Sequence, residues 1–286
     1  MRKGVQQGLL ILAWLAAASP AWGWGCAGHQ VIALIAAAHL RPEVAAQVAR
    51  ILAAAPPGAG RHTCPAAAGW PEMAREANWA DAARTAGTAG FHFINLPLGA
   101  RPGAAALAAA CGGGCLTSAT AQFEQQLRTG PAAQRAAGLR YLIHLTGDAF
   151  QPLHTADNRD RGGNCVRTRL PGRKRATSLH EDWDSVLLRR AMGRATPAAY
   201  AQRLDRGYGR RYRAEATDPA AWVWASHELA VHTAYGPLHL APGCEEQPVV
   251  LSTAYVRDAQ AVIAEQLDRA GWALANLLNQ LLSTRS

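Results

Sequence analysis

The sequence predicts a mainly α-helical fold, a single-domain bundle stapled by disulfides. Three observations carry this. Alanine and leucine dominate while runs of Val, Ile and Thr are scarce, so helix is the default state. Beyond residue 23 no Gly/Ser- or Pro-rich linker divides the chain, so one core is expected. All six cysteines (Cys26, Cys64, Cys111, Cys115, Cys165 and Cys244) lie in that same stretch, and an even number in an exported chain reads as disulfides rather than a cysteine-only zinc site.

The first residues have a separate character. Arg2 and Lys3 precede an apolar run from Leu9 to Ala18, followed by Ser19, Pro20 and the small-x-small site Ala21-Trp22-Gly23. This is the pattern of a secretory signal peptide, and the run is too short to span a bilayer comfortably. Residues 1–23 are therefore expected to be cleaved after Gly23, leaving residues 24–286 as the domain, secreted or periplasmic, with Trp24 as its N-terminus. No later apolar stretch suits a transmembrane helix, so stable membrane insertion is not expected. A monomer is expected.

Residues 28–53 place Val31, Ile32, Leu34, Ile35 and Leu40 on a broad apolar face and read as one helix, stopped by Pro56-Pro57-Gly58. A short helix is expected over 70–86. From Gly99 to Gly114 the chain is loop-like at both ends with an Ala-rich helical turn between. Residues 116–129 and 131–150 read as two helices. From Thr155 to Thr177, Asn, Asp, Arg and Gly replace Ala and Leu, so a long surface loop is expected. Helices resume near 178–193, 197–206, 218–234 and 251–282. Cys111 and Cys115 flank a Gly-Gly-Gly turn and could pair locally, although six cysteines leave fifteen pairings open.

The net charge is +9, and Lys3 and Lys174 are the only lysines. The positive charge is thus guanidinium, which contacts phosphate bidentately. A basic balance suits a polyanionic partner, although arginine richness also follows from genomic base composition.

The positions of histidine and aspartate are more informative. His144 and Asp148 are four apart in Tyr-Leu-Ile-His-Leu-Thr-Gly-Asp, one turn apart on one helix face. Leu142, Ile143 and Leu145 make that helix a core helix. A carboxylate and an imidazole facing a core are costly unless compensated, and a metal ion compensates directly. The pattern recurs with His180 and Asp184 among Leu179, Trp183, Val186 and Leu187. His154 follows in Gln-Pro-Leu-His. Asp81 and His92 stand upstream, and Trp24-Gly25-Cys26-Ala27-Gly28-His29 opens the mature chain. Imidazole and carboxylate ligands without thiolate suit zinc in a hydrolytic site. A single His–Asp pair is usually a surface or capping contact, but two pairs in apolar helices with further ordered ligands favour metal binding. His39, His62, His227, His232 and His239 lack that context and read as structural or surface residues.

Trp-Gly-x-x-Gly-His at a new N-terminus and His-x-x-x-Asp-x-x-Gln-Pro-Leu-His resemble the S1/P1 nuclease family, in the same order and with similar local spacing. The resemblance runs from Trp24 to about Asp184 and resumes at Ser226-His227-Glu228 and Ala270-Gly271. It implies the helical bundle shared by phospholipase C and P1 nuclease, with three zinc ions: one held by Asp81, His92, His144 and Asp148, a second by His154, His180 and Asp184, a third by the α-amino and carbonyl groups of Trp24 with His29 and a bridging Asp148. It implies hydrolysis of single-stranded DNA and RNA to 5′-phosphate products, with removal of 3′-phosphates from mononucleotides. Asp81 would orient the attacking water, and Arg84 would stabilise charge on the phosphate. A base would stack on Phe93 in a pocket bounded by Asn95, Gly162 and Asn164, and stacking suits unpaired bases of either sugar type. Plain core packing of Phe93 is the alternative.

Some departures from the family stand out. Certain fungal members carry Asp where Asn95 stands and Lys where Arg84 stands, and many relatives have Glu where Ala225 stands. Cys26, inside the terminal motif, is expected to pair with Cys64. Two rivals share the features above: a zinc phospholipase C, which has the same fold and metal cluster, and a non-catalytic secreted protein that binds nucleic acid or zinc. Phe93, Asn164 and the Arg-Gly-Gly-Asn loop favour a nucleotide over a choline head group.

Overall fold

The computed structural model describes residues 24–55 and 64–283; the expected signal peptide, the Pro-Pro-Gly stop and His62 lie outside them. The described chain is mostly helical. Helix α1 (Cys26–His39) packs against the long C-terminal helix α12 (Thr253–Leu281), and α7 (Ala132–Ala149) against α6 (Leu116–Thr129). The sequence places α6 and α7 to within a residue or so, because their apolar positions recur at helical spacing between Gly and Pro breaks.

α7 is buried from Gly138 to Ala149, and its charged residues are therefore inside the bundle. α1 and α12 cross closely. A Cβ on Gly271 would stand 2.4 Å from Ile35 Cγ2, so only glycine permits this approach. Side-chain caps set several helix starts: Ser252 accepts from Tyr255 N before α12, and Thr196 accepts from Ala199 N before α10 (Pro197–Tyr208). Pro197 occupies the first turn of α10 and Pro219 that of α11 (Pro219–Leu229), where a missing N–H costs nothing.

Several expectations needed correction. The helix expected over 28–53 begins at Cys26 and splits into α1 and α2 (Pro42–Ala53), because Pro42 has no N–H to continue α1 and suits a helix start. The helix expected over 70–86 is two single turns, α3 (Glu72–Arg75) and α4 (Trp79–Ala82). The Ala-rich turn is α5 (Ala104–Cys111). The long loop expected over 155–177 contains strand β1 (Val166–Arg169) and reaches β2 (Thr177–Ser178). A third strand, β3 (Glu245–Val250), was not expected at all. The sheet order is β2-β1-β3, with β1–β2 antiparallel and β1–β3 parallel.

The helix expected over 178–193 is α8 (Leu179–Glu181), a π turn over Asp182–Val186 and α9 (Leu187–Met192). A second π turn, Ala230–Tyr235, follows α11. Three disulfides staple the fold: Cys26–Cys64, as expected, Cys111–Cys115, the local pairing that the sequence left open, and Cys165–Cys244, which joins the β1 and β3 ends of the sheet. No single helix among the described residues is long and apolar enough to cross a membrane.

Candidate metal centre and nucleotide pocket

α7 sets the centre. His144 and Asp148 are both fully buried on it, with His144 Nε2 3.3 Å from Asp148 Oδ2. α4 brings Asp81, whose Oδ1 lies 3.5 Å from His144 Nε2 and 3.6 Å from His92 Nδ1. His92 Nδ1 is also 3.0 Å from Asp148 Oδ2. From α1, His29 Nε2 reaches Asp148 Oδ1 at 3.5 Å and its ring stacks on His144. The absence of a side chain at Gly147 makes room, since a Cβ there would meet His29 Nδ1 at 2.8 Å. On the other flank, His180 Nε2 lies 3.2 Å from both His154 Nε2 and Asp184 Oδ2.

Backbone carbonyls fix the imidazole tautomers. His144 Nδ1 donates to Ala77 O, His154 Nδ1 to His92 O and His180 Nδ1 to Gly162 O. A carbonyl only accepts, so each Nδ1 carries a proton, and in the neutral ring that binds a metal the lone pair is on Nε2. Gly162 presents its carbonyl from a left-handed conformation (φ 61°), and a Cβ there would lie 2.6 Å from Leu153 O. The side chain of Gln151 donates to Asp184 and accepts from Leu153 N, orienting that carboxylate from behind.

Many of these buried atoms have no hydrogen-bond partner among the described residues: both nitrogens of His29, both oxygens of Asp81, Nε2 of His92 and His144, and Oδ1 of Asp148. Unsatisfied buried polar atoms are rare in natural proteins and point to a missing ion. The donor set fits a metal. Donors at about 2.0–2.2 Å from one tetrahedral ion stand about 3.3–3.6 Å apart, and the separations above fall around that range. Three groups could each hold an ion: His29, Asp81 and His144; His92, His144 and Asp148; and His154, His180 and Asp184.

Burial disfavours charge on His29 and His154 and holds both below the usual histidine range. Burial also disfavours charge on His144 and Asp148, but their mutual attraction outweighs it: His144 is raised by Asp148 and Asp81, and Asp148 is held well below the carboxylate range by His144 and His154.

Each residue singled out in the sequence has a definite place. Asp81, His92, His144 and Asp148 converge, as do His154, His180 and Asp184, and His29 joins the first group. Trp24 is fully buried and its indole donates to Gly147 O beside Asp148. Arg84 follows α4 and donates to Ala89 O. Phe93, Asn95, Gly162 and Asn164 line one cavity of about 110 Å³ with His92, His154 and His180. Sequence reasoning missed Gln151, although it lies inside the Gln-Pro-Leu-His motif, and Arg161, which also lines the cavity. It also missed Asp160, which accepts from Gly163 N and the Tyr235 hydroxyl and has no local signal, since it acts across the fold. His227, read as structural or surface, is structural: its Nδ1 donates to Thr155 O next to His154.

A family model described as S1/P1 Nuclease matches residues 24–283. Among curated proteins, the chain is 26% identical to Nuclease PA3 of Penicillium sp and to Nuclease P1 of Penicillium citrinum, covering 90% of this chain and 97% of each relative. It is 23% identical to Endonuclease 2 of Arabidopsis thaliana, covering 96% of both.

Proposed function

Because the chain belongs to the S1/P1 nuclease family, we propose that it is an exported zinc-dependent endonuclease that hydrolyses single-stranded DNA and RNA to 5′-phosphate products and also removes 3′-phosphates from mononucleotides. One observation supports the reading: buried imidazole and carboxylate atoms without hydrogen-bond partners among the described residues stand beside a cavity walled by Phe93. The first zinc would be held by Asp81, His92, His144 and Asp148, the second by His154, His180 and Asp184. The third would use His29, Asp148 and Trp24, through its carbonyl and the α-amine that removal of residues 1–23 frees. A family match beginning at Trp24 and three disulfides support export and cleavage.

Zinc, when bound, supplies Lewis acidity and concentrated positive charge for transfer of a phosphoryl group to water. The protein supplies orientation. Burial pushes the Asp81 carboxyl up, but His144 outweighs it and keeps the group ionised. Asp81 then accepts a hydrogen bond from the attacking water and aligns it with phosphorus. Arg84 offers a guanidinium to the phosphate oxygens as charge builds on them. Phe93 stacks an unpaired base, while Asn95 and Asn164 flank the base edge. A duplex hides base faces, so single strands are favoured.

The test is turnover by correctly processed protein on denatured and duplex DNA, 3′-nucleotides and phosphatidylcholine, before and after chelation and zinc re-addition. The expected result is zinc-restored cleavage of denatured DNA with much slower cleavage of duplex. Turnover of phosphatidylcholine alone would establish the phospholipase reading, and no phosphoester turnover at full zinc would sink the enzyme reading.

A further inference from the structure

The hairpin that carries one wall of the pocket is strongly cationic. Between Arg161 and His180 there are six cations (Arg161, Arg167, Arg169, Arg173, Lys174 and Arg175) and no Asp or Glu. All six are exposed, and none makes an ion pair or a side-chain hydrogen bond among the described residues; the buried Asp182, which accepts from Thr168 and Thr177 beneath the hairpin, acts on Arg173 alone of the six. Lys174 is the only lysine after Lys3. Like charges held this closely repel one another, which a polyanion would relieve.

Their order in space follows the fold. Arg161 lines the nucleotide cavity. β1 then leads away from it, with Val166 and Thr168 buried and Arg167 and Arg169 on the exposed face. Two residues along a strand advance about 6.6 Å, comparable with the step between successive phosphates of an extended single strand. Arg167 pairs in register with Ser178, two residues before His180, and Arg173, Lys174 and Arg175 form the far tip. The one described carboxylate alongside on β3, Glu245, sits opposite Val166 and accepts from Gln247 N.

We infer that the exposed face of the β1–β2 hairpin is a track for the sugar-phosphate backbone of single-stranded nucleic acid, running from the pocket mouth at Arg161 to the tip at Arg173–Arg175. The inference rests on the nuclease reading above and extends it: the chain acts preferentially on polymers, because the track holds phosphates several residues from the one being cleaved. The partner is nucleic acid rather than an anionic membrane because the cations form a line continuous with the nucleotide cavity, and among the described residues the exposed face beside them carries one large apolar side chain, Val250 opposite Arg169, too little to anchor in a bilayer.

The experiment compares the wild type with Arg167→Gln/Arg169→Gln and with Arg173→Gln/Lys174→Gln/Arg175→Gln. Turnover of a 3′-mononucleotide and of a long single-stranded oligonucleotide is measured across a salt series. Expected is a loss of about tenfold or more in kcat/KM on the oligonucleotide at low salt, a salt slope shallower by about 0.7 for each phosphate contact removed, and mononucleotide turnover within about twofold of wild type. Equal losses on both substrates, or no loss on the oligonucleotide, would overturn the track. So would loss of binding to phosphatidylglycerol vesicles with oligonucleotide turnover intact, which would make the patch a lipid contact. If the wild type turns over neither substrate, the nuclease reading fails separately, and oligonucleotide binding by fluorescence anisotropy, weakened by the same substitutions, decides the track alone.

Discussion

Four imidazoles surround the Asp148 carboxylate: His92 at 3.0 Å, His144 at 3.3 Å, His29 at 3.5 Å and His154 at 3.6 Å. One of the four was legible from spacing alone, because His144 and Asp148 four apart on an apolar helix share one face. The approach of Asp81 and His92 was expected only from the family resemblance and not from their own spacing, since each comes from a short turn whose direction depends on what it packs against. Asp148→Asn keeps the shape and removes the charge. It is expected to lower zinc content by at least one ion per chain and kcat/KM by more than about 100-fold, measured by elemental analysis and kinetics on protein whose circular dichroism is unchanged. A variant with full metal and activity would remove Asp148 from the ligand set.

At the scale of elements, α6 and α7 were readable and the sheet was not. A long helix announces itself through a repeat within its own sequence, whereas β3 is defined by pairing with β1 across a gap of many residues. The end of α7 is braced by other helices, with Ser226 of α11 donating to Ala149 O and Gln266 of α12 donating to Phe150 O. α12 also carries a charge at odds with its surroundings. Asp268 is fully buried, neither oxygen has a hydrogen-bond partner among the described residues, and burial, aided by Asp205, pushes its pKa up to about 7. The folded chain therefore keeps a proton that the unfolded chain releases near pH 4, so the contribution of Asp268 to stability is complete below about pH 4 and is lost as pH rises through about 7. Asp268→Asn is expected to raise the Tm at about pH 8 and change it little at about pH 4, as read by calorimetry of the metal-free protein. The same shift at both pH values would count against a titrating Asp268.

At the scale of the whole molecule, the candidate metal centre gathers side chains from α1, α4, α7 and α8 together with connecting turns, and a disulfide joins the strands β1 and β3 beside it. Cys165–Cys244 closes a separation of 79 residues. Replacing both cysteines by serine is expected to cost about 4 kcal/mol on a chain-entropy basis, seen as a lower urea midpoint in equilibrium unfolding. A change within about 0.5 kcal/mol would show that the sheet holds without it. This pairing was not readable, because six cysteines leave many options and only the arrangement of β1 and β3 selects one.

The sequence by itself determined the helical class and the chemistry: apolar periodicity is local, and so is the four-residue spacing that puts His144 with Asp148 and His180 with Asp184. It also brought out the terminal Trp-Gly-x-x-Gly-His motif. Only the tertiary structure decided which nitrogen of each histidine the backbone carbonyls leave for a ligand, how Gln151 and Arg161 join the site, and that the arginines of β1 share one exposed face leading from the pocket. These are contacts between segments distant in sequence, set by how helices and strands pack, and no local repeat encodes them.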